Sequence, residues 1–204
     1  MGQRVNFGTI GAGTIAQALA RHLVTAGHRV TLSNSRGPST LTEVVADLGP
    51  LASAGTIAQA AEADMVFLAV MWPAIPAALA DLPPWDGRIL VDCTNQFARL
   101  DPVEVADLGD QTGSERVAAL APGARVIKAF NTLRADYLAP DPRHPAGRQV
   151  LFYAGDDDAA KATFGELVDG FGFAPVDMGS LRDGGRLMQV GGGPLSGLHA
   201  LKQD

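Results

Sequence analysis

The stretch Gly11-Ala12-Gly13-Thr14-Ile15-Ala16 decides the fold. It ends an apolar run, Arg4–Gly11, with the composition of a β-strand, and it opens a run in which Ile15, Ala18, Leu19, His22, Leu23 and Ala26 recur at three- and four-residue spacing. That periodicity predicts an amphipathic helix, and Gly27 supplies its stop. A G-x-G-x-x-A sequence between strand and helix suits a pyrophosphate. The first glycine makes the tight turn, the second lets backbone approach the phosphates, and a small Ala16 lets helix pack closely on strand. The phosphates then face the unpaired N–H groups of a helix N-terminus.

Working outward, strand-like runs recur at residues 29–33, 64–70, 88–92, 125–130, 149–154 and 173–178. Helical patterns lie between them at Leu41–Leu48, from Pro73 onward, and at Ala159–Val168. Such alternation predicts an α/β fold: a doubly wound, mostly parallel Rossmann sheet with helices on both faces and a short C-terminal extension. Residues 65–70 are apolar on both faces, which places that strand in mid-sheet. The expected organisation is a Rossmann domain over 1–139, followed by a strand-helix-strand extension and glycine-rich tail over 140–204 packed on the same core. The rigid loop Pro140-Asp141-Pro142-Arg143-His144-Pro145 is the sub-boundary. Gly179, Gly184, Gly185, Gly191, Gly192, Gly193 and Gly197 leave the tail little propensity for long regular structure, so no separate helical domain is expected after it.

Composition narrows the function classes. The 204 residues are 47% apolar and 19% charged, the balance of one globular domain. A net charge of −6 without basic runs disfavours nucleic acid and anionic membrane as partners. The longest apolar stretch, Met65 to Trp72, is closed by Pro73 and falls far short of the roughly 20 residues that span a bilayer. The N-terminus has no charged-then-apolar leader pattern, and a cytoplasmic protein is expected. Cys93 is the only cysteine, which excludes an internal disulfide, and with four scattered histidines no metal site is expected.

The carboxyl ends of the strands supply the site candidates, because ligands of a doubly wound sheet lie there. An NAD-specific site would place an acidic residue about 20 residues beyond the second glycine. Here the second strand ends instead in Ser33-Asn34-Ser35-Arg36, and a guanidinium fork suits a 2′-phosphate, which indicates NADP. The expected cofactor-binding residues are Gly11, Ala12, Gly13, Thr14, Ile15, Asn34, Ser35, Arg36, Val70, Met71, Trp72 and Asn95. Met71 and Trp72 can wall a nicotinamide, although large apolar residues also serve a core. Asn131, Thr132 and Trp72 are the candidates for orienting substrate, although Asn and Thr are also ordinary turn formers. Lys128, inside an apolar strand, is expected to pair with a carboxylate such as Asp92 as a structural ion pair. Gly155-Asp156-Asp157-Asp158 reads as the start of a helix, not a metal cluster, and His22 reads as a core histidine. Tyr137 lacks the lysine four residues on that short-chain dehydrogenases use, and no nucleophile elbow is present.

Taken together, Ile10 to Ala16, Asn34-Ser35-Arg36, Val70-Met71-Trp72-Pro73, Lys128-Ala129-Phe130-Asn131-Thr132-Leu133 and Gly155-Asp156-Asp157 resemble the NADP oxidoreductases dependent on deazaflavin coenzyme F420. The NADP-binding domain of that family also occurs in six-transmembrane metalloreductases. The resemblance implies that Ser35 and Arg36 hold the 2′-phosphate, and that F420 is the co-substrate of two paired subunits. Those reductases often carry His-Thr where this chain has Asn131-Thr132, and their C-terminal region is longer and less rich in glycine. The expected function is therefore hydride transfer between NADP(H) and a planar acceptor such as F420. The alternatives are reduction of another acceptor (flavin, quinone, carbonyl or imine) and a non-catalytic NADP-binding sensor. A hydride transfer between stacked rings needs alignment more than an ionising group, so the absence of an obvious acid or base fits it.

Overall fold

The computed structural model describes residues 5–203. In chain order the elements are β1 (Asn6–Ile10), α1 (Thr14–Thr25), β2 (Arg29–Ser33), α2 (Thr42–Leu48), β3 (Ala52–Ala54), α3 (Ile57–Ala61), β4 (Met65–Leu68), α4 (Ile75–Leu79), β5 (Ile89–Asp92), β6 (Phe97–Leu100) and β7 (Val103–Val105). They continue with α5 (Gly113–Leu120), β8 (Arg125–Ala129), α6 (Ala135–Leu138), β9 (Arg143–His144), β10 (Gly147–Gly155), α7 (Asp158–Phe171), β11 (Ala174–Asp177), α8 (Asp183–Met188) and β12 (Leu201–Lys202). The first strand begins within the stretch expected from Arg4; Arg4 itself lies outside the described residues.

The main sheet runs β11-β10-β8-β5-β4-β1-β2-β3. From β3 to β8 every neighbouring pair is parallel. β10 then joins β8 antiparallel, and β11 lies parallel to β10. The expected doubly wound, mostly parallel sheet is therefore present. β4 lies in its middle, and its side chains alternate between two cores. Met65 and Phe67 join Leu19, Leu23, Leu32, Phe130 and Phe164 on one face. Val66 and Leu68 join Ile75, Leu90 and Val117 on the other. Fully burying side chains of this size contributes about 1.5–3 kcal/mol each, so covering both faces is the main source of stability. The first of these cores takes residues from both sides of residue 140, among them Leu23 and Phe164.

Four strands, β1, β4, β8 and β11, end one or two residues before their expected ends, and the stops of β8 and β4 shape the site. The strand expected to reach Phe130 ends at Ala129, because Phe130 turns into the left-handed region at φ 65°. The strand expected to reach Val70 ends at Leu68, after which the chain folds over Gly11. The hydrophilic loop after Pro140 contains a short hairpin, β9 pairing with the start of β10. Unanticipated by the pattern are β3, α3, α5, α6, β9, α8, β12 and the separate β6–β7 hairpin.

Candidate active site

The turn from β1 to α1 is built for close approach. Gly11 takes φ 105°, and a Cβ on it would lie 2.2 Å from the Ala69 carbonyl oxygen. Its N–H donates to the Ser33 carbonyl (3.0 Å), and its carbonyl accepts the Thr9 hydroxyl (2.8 Å). Ser33 in turn donates its hydroxyl to the Thr9 carbonyl (2.7 Å), so the turn is laced to the end of β2. Gly13 is the N-cap of α1, with nothing within 4 Å of where its Cβ would stand. No side chain caps this helix, and its first turn holds no acidic residue. Buried Ala16 lies against the sheet while Gly13 and Thr14 stay exposed. The result is a helix N-terminus whose N–H groups and positive dipole end face an open space.

At the end of β2 the four polar residues divide the work. Ser33 is buried in the lacing just described. Asn34 shapes the loop: its Oδ1 accepts the Arg36 N–H (2.9 Å), and its Nδ2 donates to Thr40 Oγ1 (3.0 Å). Ser35 and Arg36 are exposed on that loop, and the Arg36 guanidinium has no partner among the described residues.

The ends of β5 and β8 carry the amides. Asn131 Nδ2 donates to Asn95 Oδ1 (3.2 Å) and to the Met188 carbonyl (2.8 Å), while Asn95 Nδ2 donates to the Asn131 carbonyl (3.0 Å). Both groups facing Asn131 Nδ2 are acceptors, which fixes the orientation of its amide. Asn131 Oδ1 and Thr132 Oγ1 are left buried without a partner. Phe130, immediately before them, is a left-handed non-glycine residue, a conformation costing about 1–3 kcal/mol that persists only when its surroundings hold it. Its ring is held by Phe67, Phe164 and Phe173, with centroids 5.7–6.4 Å apart.

Beneath the amides Lys128 and Asp92 form the expected ion pair, 3.0 Å apart and buried on both sides. Asp92 also accepts from the Thr94 N–H and hydroxyl and from the Ser114 hydroxyl. Lys128 also donates to the Thr94 carbonyl.

The glycine-rich tail covers this end of the cleft, a role its sequence did not disclose. Gln96 Nε2 donates to the Val190 carbonyl (2.9 Å), and Gln189 Oε1 accepts the Gly113 N–H (3.0 Å). A Cβ on Gly193 would lie within 2.7 Å of three carbonyl oxygens at the end of α8, so glycine lets the tail fold back there. The groove left beneath it, about 620 Å³, brings together Ile15, Asn95, Phe97, Asn131, Thr132 and Val190. Its ionisable lining residues are Arg134 and Asp136, joined through two 3.1 Å hydrogen bonds that hold the Asp136 carboxyl below its usual range. Trp72 lies elsewhere: its ring packs on Gly113 and lines a separate apolar depression of about 410 Å³ with Pro73, Ile75 and Leu120. Met71, in the same loop, is 47% exposed, and Val70 packs beside Gly11. Phe97, Gln96, Gln189 and Val190 were not among the sequence candidates. They meet the site only through tertiary contacts, which no local spacing reports.

The remaining candidates have structural partners. Asp157 caps α7 by accepting the Ala160 N–H (2.7 Å), and Asp156 accepts the Leu181 N–H (2.9 Å). His22 bonds the Leu138 carbonyl (2.7 Å) and stacks on Phe171. Burial pushes the Cys93 thiol far above its ordinary range, with the adjacent Asp92 charge adding to the shift. Among the described residues no group of His, Cys, Asp and Glu could hold a metal ion, and no helix is long and apolar enough to cross a membrane.

Similarity to known proteins runs along the whole of this framework. A hypothetical protein, SMa0349, from Sinorhizobium meliloti is 39% identical, with a TM-score of 0.91 over 98% of this chain and 96% of that one. A structure described as a candidate F420-dependent NADP reductase, from Arthrobacter sp. FB24, is 25% identical, with a TM-score of 0.77 over 87% of this chain and 86% of its own. Metalloreductase STEAP3 of Rattus norvegicus is 35% identical over 177 residues, which are 85% of this chain and 34% of that protein. The chain thus spans about a third of the length of the curated relatives it matches. Residues 6–96, from β1 through the end of β5, match the family described as NADP oxidoreductase, coenzyme F420-dependent. By its motif, its fold and these matches, the chain has a Rossmann-like fold and is similar over residues 6–96 to that family of NADP oxidoreductases.

Proposed function

We propose that the chain binds NADPH along the carboxyl ends of β1, β2, β4, β5 and β8 and serves hydride transfer to a planar acceptor in the groove beside Asn95 and Asn131. The observation that carries this reading is the sheet order, which puts the uncapped N-terminus of α1, with Gly13 open above it, between the β2 end bearing Arg36, unpartnered among the described residues, and the β5 and β8 ends bearing the Asn95–Asn131 pair. Gly11, Ala12, Gly13, Thr14 and Ile15 would hold the pyrophosphate by backbone N–H groups. Ser35 and Arg36 would hold the 2′-phosphate, with Asn34 shaping their loop. Val70, Met71 and Asn95 would border the ribose and ring. Asn131 and Thr132 would fix the carboxamide edge, and Trp72 would set the β4 loop from the α5 side. Bound NADPH supplies the hydride itself. In this reading residues 1–139 hold the dinucleotide, and residues 140–204 supply the cover over the acceptor.

The chain's own contribution is alignment and exclusion of water. Holding two reactants in near-attack geometry can lower a barrier by several kcal/mol without any proton transfer. Among the described residues the ionisable groups lining the groove are Arg134 and Asp136, which are tied to each other, and this favours a ring acceptor over a carbonyl or an imine. Deazaflavin F420 is the acceptor that the family description and the Arthrobacter structure support. The metalloreductase relatives support a second reading, in which an acceptor other than deazaflavin, such as a chelated metal ion, takes the electrons. The test is NADPH oxidation followed by absorbance with deazaflavin, riboflavin, a quinone and a ferric chelate in separate assays. Oxidation with deazaflavin alone supports the first reading and oxidation with the others alone the second. Tight NADPH binding with no oxidation by any acceptor would leave a sensor. A cytoplasmic homodimer completes the reading, checked by cell fractionation and light scattering.

A further inference from the structure

We infer that the buried Asp92–Lys128 pair is a positioning device that sets the Asn95–Asn131 amide pair through Thr94. The two residues stand opposite each other in adjacent parallel strands, and their side chains are 0% and 7% exposed. Stability does not explain such a pair, because replacing buried ions by apolar side chains of similar volume is often neutral or stabilising. What the charges provide is direction. Asp92 Oδ1 accepts both the Thr94 N–H (2.9 Å) and the Thr94 hydroxyl (2.7 Å), and Lys128 Nζ donates to the Thr94 carbonyl. All three polar groups of Thr94 are therefore taken up by one ion pair. Asn95 follows Thr94 directly, and its amide reaches the Asn131 carbonyl (3.0 Å). On the other strand Lys128 lies two residues before the left-handed Phe130, after which Asn131 turns to face Asn95. The second carboxylate oxygen accepts the Ser114 hydroxyl (2.8 Å), which ties the same brace to the first turn of α5. An apolar pair would fill this space equally well but would leave the rotation of Thr94 free.

The geometric part of this inference stands on the contacts alone, and its consequence for hydride transfer rests on the function proposed above. The test uses the full chain with Asp92→Leu and Lys128→Met together, so that no lone charge is left buried, and Thr94→Val as a milder second variant that keeps both charges. In the protein without cofactor, the side-chain amide signals of Asn95 and Asn131 are followed by NMR, and both variants should shift them and speed their exchange with solvent. NADPH affinity, anchored at the phosphates, should stay nearly unchanged while turnover with the active acceptor falls up to about a hundredfold in the double variant. Amide signals unchanged in both folded variants would overturn the inference, as would affinity and turnover falling in equal proportion. If the unaltered protein fails to bind NADPH, the proposed function falls, and the amide signals still decide the positioning role.

Discussion

Gly11 and Ala69 are in contact so close that no side chain fits between them: a Cβ on Gly11 would stand 2.2 Å from the Ala69 carbonyl oxygen and 3.1 Å from the side chain of Val70. Gly13, two residues on, has nothing within 4 Å. The two glycines of one motif therefore meet different surroundings, the first a close backbone contact and the second the open space in which the proposed function puts a ligand.

Gly11→Ala should destabilise the protein by at least about 3 kcal/mol, since it adds left-handed strain to a backbone clash. Gly13→Val should leave thermal unfolding nearly unchanged and abolish NADPH binding, because its side chain projects into the space open to a pyrophosphate. Calorimetry with and without cofactor separates the two. NADPH binding retained by folded Gly13→Val would move the dinucleotide away from this turn.

Arg36→Ala should weaken NADPH by about tenfold to a hundredfold, the equivalent of the ~1.5–3 kcal/mol typical of hydrogen bonds to charged groups, and leave NADH nearly unaffected. Titration of both cofactors against both proteins reads this directly. Equal losses would remove Arg36 from the 2′-phosphate.

Asn131→Ala should lower turnover more than it raises the NADPH dissociation constant, because a misplaced ring harms the reacting geometry before it harms phosphate-anchored binding. Steady-state kinetics set beside equilibrium titration supply the comparison. A matched loss in both would make Asn131 a binding residue only.

Cys93 should resist thiol reagents in the native state, since it is 7% exposed and its burial disfavours the reactive thiolate. Its sign is simple: raising pH toward the ordinary cysteine range should not bring reactivity, and unfolding in urea should. Rapid labelling of the folded protein at neutral pH would contradict the burial.

Asp157→Ala should cost about 0.5–2 kcal/mol through loss of the α7 cap, visible as a lower unfolding midpoint, with NADPH binding intact. A loss of binding without a loss of stability would return the aspartate run to the list of ligand sites.

The sheet was legible wherever one strand's residues carried their own pattern. Met65 to Leu68 are apolar on both faces, and α1 repeats Ile15, Leu19 and Leu23, so each announces itself locally. Two helices were legible in principle and passed over: Thr56 with Gln59 and Thr112 with Glu115 both form capping boxes, a spacing visible in sequence. The tail was not legible. Gly184 and Gly185 lower the helix propensity of α8, which forms because burial against Met178 and Thr112 overrides it. The same holds for the site: the motif and the Ser35-Arg36 loop are contiguous runs, whereas the meeting of Asn95 with Asn131 spans 36 residues and depends on β5 and β8 being neighbours.

Phe130 gives the molecule a coupling between its hydrophobic interior and its reactive end. The residue that twists the backbone into Asn131 is also the ring on which Phe67, Phe164 and Phe173 converge. Trimming Phe164 on α7, which touches the Phe130 ring, should therefore be felt at the amide edge of the cleft. Loosening this aromatic hub would register twice, as a lower melting temperature and as a displaced amide edge.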